Sequence, residues 1–530
     1  MVFGRQRTKT SLVSALALCA GLIAPVATQA EEVTLRSADG TVNLVGDFVA
    51  FTDNNYVIRT GLGELRISAS RVSCEGAGCP AIGGGDADVQ IVGSDTVGEG
   101  VMPLLLAGYA GSLGAEVTQT ATGGGGQFLA EMVGDEGFGD PLGSYLVTST
   151  SSNGAFGALL DQTAGIGMSA RRILPDEARA LRADGAGNMI SPDQEHIIAV
   201  DSLVVITHPN NPVQSITLDQ LRDIYSGAIT NWADVGGSNA PITLFSREAD
   251  SGTRGVFENG VFGENPPSLP GSTEIKTDNN EMAASVNADV NAIGFVGYAF
   301  QRGASALTLI SDCGISMVPD AFSARTEEYA LQRFLYLYTR EDIGSEGTAE
   351  FIEYAGSNQA DVVIAKAGFI DLGIDRRPQM IDGARAAQLS DSSADAYESG
   401  FMREMLLEMV NYDRLSTTFR FRTGSQELDL RGRLNLERLA DYLETQPSGT
   451  EVLFAGFTDS VGAFDSNRSL SVGRADQVMA ELQNYAGSRL SGISMSTTGY
   501  GEIAPSACNT SDNERQINRR VEVWIKSSNG

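Results

Sequence analysis

Short runs of alternating polar and apolar residues fill positions 31 to about 80, as in Thr41-Val42-Asn43-Leu44-Val45 and Tyr56-Val57-Ile58-Arg59, broken by Asp53-Asn54-Asn55 and Gly61-Leu62-Gly63. A two-residue period between turn formers predicts a small β module over 31–80. Gly83-Gly84-Gly85 then marks a Gly-rich linker over 81–88. From 89 onward the pattern changes. Val89-Gln90-Ile91-Val92 reads as a buried strand that stops at Gly93-Ser94-Asp95-Thr96, after which Met102, Leu105, Leu106 and Tyr109 recur at helical spacing. Leu203-Val204-Val205-Ile206 and Ile242-Thr243-Leu244-Phe245 repeat the strand signal. Strands that feed helices through Ser, Thr and Gly turns predict an α/β sheet whose ligand lies beyond the strand ends. Residues 376–415 read as a linker with a helix, because the polar Asp391-Ser392-Ser393 precedes Phe401, Met405, Leu406 and Met409. A last α/β unit over 416–530 follows from Phe419-Arg420-Phe421, the stripe Leu436, Leu439, Ala440 and Leu443, then Val452-Leu453-Phe454 and Val521-Glu522-Val523-Trp524.

The N-terminal residues change where such a protein would work. Arg5, Arg7 and Lys9 precede an apolar run from Leu12 to Ala24, and Ala27-Thr28-Gln29-Ala30 offers small residues for cleavage before Glu31. That is the pattern of a secretory signal peptide over 1–30, and Leu18 ahead of Cys19 is too bulky for a usual lipidation site. A soluble, exported protein is expected. The formal charge of −30 becomes about −33 once the signal takes its three cations away. Such a surface argues against nucleic acid as a partner and repels anions at long range. An anion site would have to work through local dipoles and a buried cation. Four of the five cysteines survive cleavage. Cys74 and Cys79 bracket a flexible loop that an oxidising compartment would staple, whereas Cys313 and Cys508 could be free or paired. Two histidines without clustered Cys/His spacing argue against zinc, and no cofactor is expected.

The densest chemistry lies at 246–254, Ser-Arg-Glu-Ala-Asp-Ser-Gly-Thr-Arg. Arg247 offers a planar fork of N–H donors, Ser251 and Thr253 add hydroxyls, and Gly252 lets backbone amides approach a ligand at the start of a helix. These groups suit one tetrahedral oxyanion. A capped helix behind a surface arginine uses the same residue types, so this stretch alone leaves both readings open.

Leu218-Asp219-Gln220-Leu221-Arg222-Asp223-Ile224-Tyr225-Ser226-Gly227 with Ile229-Thr230-Asn231-Trp232, then Ala292-Ile293-Gly294-Phe295-Val296-Gly297 and Ala367-Gly368-Phe369, breaks the tie. With 246–254 they make residues 89–375 resemble the PstS family, the periplasmic phosphate-binding proteins of ABC uptake systems. The resemblance implies a two-lobed, class II-like periplasmic-binding-protein fold that closes on its ligand at a hinge. It also implies three donor turns: Thr96 with the backbone of Val97; Ser152, with Ser151 as fallback; and Arg247, Ser251, Gly252 and Thr253. One departure stands out. Where the family carries an aspartate that accepts the phosphate proton, Gly167-Met168-Ser169-Ala170-Arg171 has Ala170. Asp95 or Asp201 are the replacements to consider as acceptor, and Arg171 as added positive charge.

Gly456-Phe457-Thr458-Asp459-Ser460-Val461-Gly462, continuing through Asn467, Leu470-Ser471, Arg474-Ala475 and Asn518-Arg519-Arg520-Val521-Glu522, resembles the OmpA C-terminal family. That resemblance implies peptidoglycan binding through the diaminopimelate of the stem peptide. Asp459 would pair with its ammonium, Arg474 with a carboxylate, and Asn467 would assist; Arg519 and Arg520 would be supports or surface charges. The transmembrane barrel of that family is not expected, because nothing before 416 shows repeated ten-residue amphipathic strands.

Together these readings predict a non-enzymatic periplasmic protein that binds phosphate or a related oxyanion and is associated with peptidoglycan and the outer membrane. An ABC transporter permease is the partner that the first resemblance implies. Two rivals are weighed: a wall-associated structural protein whose binding fold has lost its ligand, and a phosphate-ester hydrolase. The hydrolase is disfavoured because His196 and His208 lie outside every donor turn.

Overall fold

A computed structural model describes residues 32–527 apart from 37–42, 53–54, 62, 69–71, 76–78, 80–86, 123–125, 250, 264, 380–395, 422–427 and 429. The signal peptide expected over 1–30, most of the Gly-rich linker and the Asp391-Ser392-Ser393 stretch lie outside the described residues. The chain divides into two compact units, Met1–Pro80 and Ala81–Gly530.

The first unit is an antiparallel sheet in the order Gly63–Ser68, Asn55–Thr60, Asn43–Thr52, Glu32–Arg36, Ser73–Glu75. Its two-residue period puts Val33, Leu35, Tyr56 and Ile58 in the interior. Cys74 and Cys79 are joined as a disulfide.

In the second unit the thirteen-residue strand Glu195–Thr207 organises the sheet. It is apolar almost throughout its second half because both faces are covered. Residues 195–202 pair with Gln332–Thr339, whereas residues 203–207 pair with Ala292–Gly297. One strand therefore serves two lobes. In the first lobe Val89–Ser94 lies between the parallel strands Ile166–Ser169 and Pro141–Thr150, over a core that includes Ile91, Leu105, Met168 and Phe351. In the second, Thr243–Arg247 runs parallel to Ala292–Gly297 and Glu274–Lys276, and the Phe257 and Phe295 rings stack 4.0 Å apart in its core. This is a two-lobed α/β binding fold, with the paired strands 195–207 and 332–339 passing between the lobes.

The C-terminal module is a sheet in the order Arg376–Pro378, Tyr412–Arg420, Arg520–Lys526, Glu451–Gly456, Ser494–Gly499. Strand alternation splits its core: Val452 and Phe454 face the helices Leu430–Glu444 and Phe464–Ala486, while Leu453 and Ala455 face the helix Ala396–Met409. The described parts of the expected 376–415 linker are thus part of the module. Arg376–Pro378 is an edge strand, and the strand at Tyr412 begins ahead of the expected boundary at 416. Met402, Met405 and Met409 explain the difference, since a helix with an apolar stripe needs an apolar face to cover. Cys313 and Cys508, left open by the sequence, are paired. Among the described residues no helix is long and apolar enough to cross a membrane.

Candidate functional site

Three strand ends converge between the lobes. Val89–Ser94 runs into the short helical turn Asp95–Gly98, and it can do so only because residue 93 is glycine. Gly93 has φ of +144°, and a Cβ there would sit 2.7 Å from that of Ala155. Pro141–Thr150 ends at Ser151, whose Oγ accepts from the Gly154 amide at 3.1 Å and caps the helix Ser152–Leu160. Ser152 is the buried donor: its Oγ accepts from the Ala170 amide at 3.0 Å, leaving the hydroxyl proton to donate elsewhere. Thr243–Arg247 ends at Arg247, followed by Ser251, which caps the helix Gly252–Phe262 by accepting from the Arg254 amide.

These turns enclose a cavity of about 190 Å³ lined by Thr96, Ser152, Arg247, Ser251, Gly252 and Thr253, with Ser94, Asp95, Ser151, Ala170 and Thr277 among the other walls. Six of the seven residues expected to hold the oxyanion are brought together. Val97 is not among them. Val97 was expected through its backbone amide, and it is the side chain that is fully buried in the first lobe's core. The lobes face each other closely here, since a Cβ on Gly252 would lie 3.6 Å from Ser152 Oγ.

Arg247 dominates the electrostatics. It is 3% exposed, its Nη2 donates to the Thr277 carbonyl at 2.9 Å, and Nε and Nη1 have no protein partner among the described residues. Burial pushes its pKa down, against the pull of Asp95 and Asp278. A buried guanidinium N–H without an acceptor costs about 1–3 kcal/mol, so this fork is set for an anion the protein does not itself supply. The hydroxyls of Thr96, Ser152 and Thr253 add neutral donors around it.

Where Ala170 offers no acceptor, the cavity wall carries two carboxylates, Asp95 and Glu248, and Asp95 is the one held against Arg247. Asp95 Oδ1 accepts from the Thr96 amide at 2.7 Å, and Oδ2 lies 3.7 Å from Arg247 Nη2. Asp201 is excluded from that role, because Arg333 Nε and Nη2 donate to its Oδ2 at 2.9 and 2.7 Å and the Ser202 and Tyr298 amides donate to its Oδ1. Arg171 is likewise engaged, with Glu177 and Asn153.

Arg333 is the residue that sequence reasoning missed. From between the lobes, its Nη2 lies 3.5 Å from Thr96 Oγ1 of the first lobe and its Nη1 3.4 Å from Thr253 Oγ1 of the second. Donation to both oxygens turns their hydroxyl protons away from Arg333. An arginine in the otherwise apolar run Phe334-Leu335-Tyr336-Leu337-Tyr338 was the available signal.

In the C-terminal module Asp459, Asn467 and Arg474 also meet. Asn467 Nδ2 donates to the Asp459 carbonyl at 3.4 Å, and Asp459 Oδ2 accepts from Arg519 Nη1 at 2.7 Å. Arg519 is therefore the immediate partner of Asp459. Arg474 is 1% exposed, and its Nε and Nη1 have no partner among the described residues. Burial first, then the charge of Arg519, pushes its pKa down to about 10, opposed by Asp459.

Comparison with known proteins agrees with this division. The PBP superfamily domain matches residues 80–359, just over half of the 530-residue chain, and the OmpA family matches residues 420–519. The phosphate-binding protein PstS of Pseudomonas aeruginosa is 27% identical over 249 residues, 43% of this chain and 73% of the relative. A solved ABC-type phosphate transport receptor from Vibrio cholerae is 24% identical, covering 53% of this chain and 99% of that one, with a TM-score of 0.40. The periplasmic domain of Helicobacter pylori MotB is 26% identical, covering 22% of this chain and 75% of that one, with a TM-score of 0.20. The chain belongs to the PBP superfamily, in a PstS-like form, and carries an OmpA family domain behind it.

Proposed function

We propose that this protein binds phosphate in the cavity between its lobes and is held to peptidoglycan by its OmpA domain. One observation carries the reading: Arg247, almost fully buried, leaves two N–H groups unpartnered beside a cavity walled by Thr96, Ser152, Ser251 and Thr253. A desolvated dianion needs this combination of one fixed cation and several neutral donors. The first part of the chain is then a cleaved signal, and the mature protein works in the periplasm beside the wall and outer membrane. It binds without turnover and passes phosphate to an ABC transporter permease.

Neither rival fits the cavity as well. A fold that had abandoned its ligand has no reason to keep a buried cation short of acceptors. A hydrolase needs an activated nucleophile or a metal, and no histidine lines the cavity among the described residues. His196 sits on the strand 195–207 against Thr339 Oγ1 at 3.2 Å, and burial holds its pKa at about 4, so it is neutral at pH 7.

Calorimetry on the mature chain, stripped of bound ligand, tests the first half. Phosphate heat that Arg247→Ala removes is expected; no heat with phosphate, sulfate or arsenate would sink the proposal. Sedimentation with isolated peptidoglycan tests the second half. Asp459→Ala should lose retention, and undiminished retention removes that residue from the wall site.

A further inference from the structure

The OmpA module grips both lobes of the binding domain. On the first lobe Arg438 donates to Asp361 at 2.6 Å and to the Gly356 carbonyl at 3.0 Å, and Asn358 donates to Asp441 at 2.9 Å. On the segment that leads from the second lobe back to the crossing strand, Arg414 donates to both oxygens of Glu328 at 2.9 Å, and Arg420 donates to Glu327 and to the Thr326 carbonyl. On the second lobe itself the contact is covalent. Cys313 lies between the strands Thr308–Ile310 and Ser316–Met317, and its disulfide reaches Cys508 in the loop before the helix Asp512–Asn518. Ser311 Oγ lies 3.3 Å from Cys508 Sγ and belongs to the same turn.

The Arg438–Asp361 and Arg414–Glu328 pairs are mostly buried and hold the module in place, but an ion pair can break and re-form as domains move. A disulfide between residues 195 positions apart does not. The strands 195–207 and 332–339 are the path by which the lobes could rotate about one another. A third body fixed to the first lobe by Arg438 and bonded to the second through Cys313 constrains that rotation from outside the hinge. In the arrangement so held, Arg333 reaches Thr96 and Thr253 together and Gly252 faces Ser152, so the constraint favours closed lobes.

We infer that the Cys313–Cys508 disulfide is a clasp through which the OmpA module holds the two lobes together and slows escape of the anion. The inference rests on reading the cavity as the phosphate site. Its consequence is that the module acts on the binding step as well as on attachment. The bond lies between two modules whose own cores are complete, so its removal should leave both folded.

The test is release of radiolabelled phosphate from the full mature chain, chased with unlabelled phosphate. The double variant Cys313→Ser/Cys508→Ser should release phosphate about ten-fold faster than wild type, within the range typical of coupling between sites. Cys74→Ser/Cys79→Ser, which removes only the disulfide of the first unit, should release at the wild-type rate. Wild-type release from the Cys313→Ser/Cys508→Ser variant, with its circular dichroism unchanged, overturns the clasp. If that variant does not fold, wild-type protein reduced and alkylated after folding gives the same comparison, and an unchanged rate there overturns it equally. A wild-type chain that binds no phosphate instead overturns the functional reading beneath it.

Discussion

The cavity between the lobes, proposed for phosphate, and the Asp459–Arg474 site, proposed for peptidoglycan, are built around the same device and differ in what surrounds it. Each centres on an arginine at most 3% exposed whose Nε and Nη1 lack partners among the described residues: Arg247 between the lobes and Arg474 on the helix Phe464–Ala486. Around Arg247 the cavity walls are mostly hydroxyls, with Asp95 at 3.7 Å, and its second cation, Arg333, is neutralised by the buried Asp201. Around Arg474 the neighbours are a second cation, Arg519, an acid already paired with it, Asp459, and the Phe421 ring 5.3 Å away. Neutral donors suit a compact anion that must be wrapped on all sides. Separated acid and base suit a zwitterion held at both ends. The same buried fork is specialised by its surroundings.

The largest expected effect comes from removing either fork. Arg247→Ala should cost phosphate affinity about a hundred-fold or more, some 3 kcal/mol for lost charge-assisted bonds, and leave sedimentation with peptidoglycan unchanged. Arg474→Ala should do the reverse. If either variant lost both activities, the two pockets would not be separable and the comparison would fail. Arg333→Ala is a different kind of loss. It leaves Asp201, which is fully buried, without its cation, so it should lower folding stability by about 3–5 kcal/mol in chemical denaturation.

Asp95 sharpens the contrast further. A hydrogen bond from a protonated phosphate oxygen needs an acceptor, and Ala170 cannot be one. Asp95→Asn replaces one carboxylate oxygen with a donor, so phosphate should weaken by about ten-fold while sulfate, which has no proton to give, binds no worse. Competition of the two anions measured by calorimetry checks this. Equal discrimination before and after would leave the acceptor's place vacant.

How much of this was legible in the sequence depended on range. Local signals were legible: the strand that ends at Ser94, the cap at Ser251 and the donor turns are set by residues within four or five positions of each other. The two-residue period in Val452-Leu453-Phe454-Ala455 marked a strand, but which face met which helix depended on residues 396–409. Contacts between distant segments were not legible. Arg333 reaches Thr96 across 237 positions, and Cys313 meets Cys508 across 195.

The smallest expected effect is a difference in pH response. Burial and the charge of Arg519 hold Arg474 at about 10, below the ordinary arginine value. Only the protonated guanidinium attracts a carboxylate, so retention on peptidoglycan should fall as pH rises through about 10. Folding stability responds in the opposite direction. The unfolded chain keeps the proton to higher pH than the folded one, so between the folded and unfolded pKa values this group's contribution to stability rises with pH. The Asp459 carboxylate holds the proton on, and Asp459→Asn should move the loss of charge to lower pH. Because Asp459 is itself expected to bind the ligand, the shift is better read from folding stability between pH 8 and 11 than from retention. A profile unmoved by the substitution would mean that Asp459 is spent on Arg519 alone and does not help to hold the charge on Arg474.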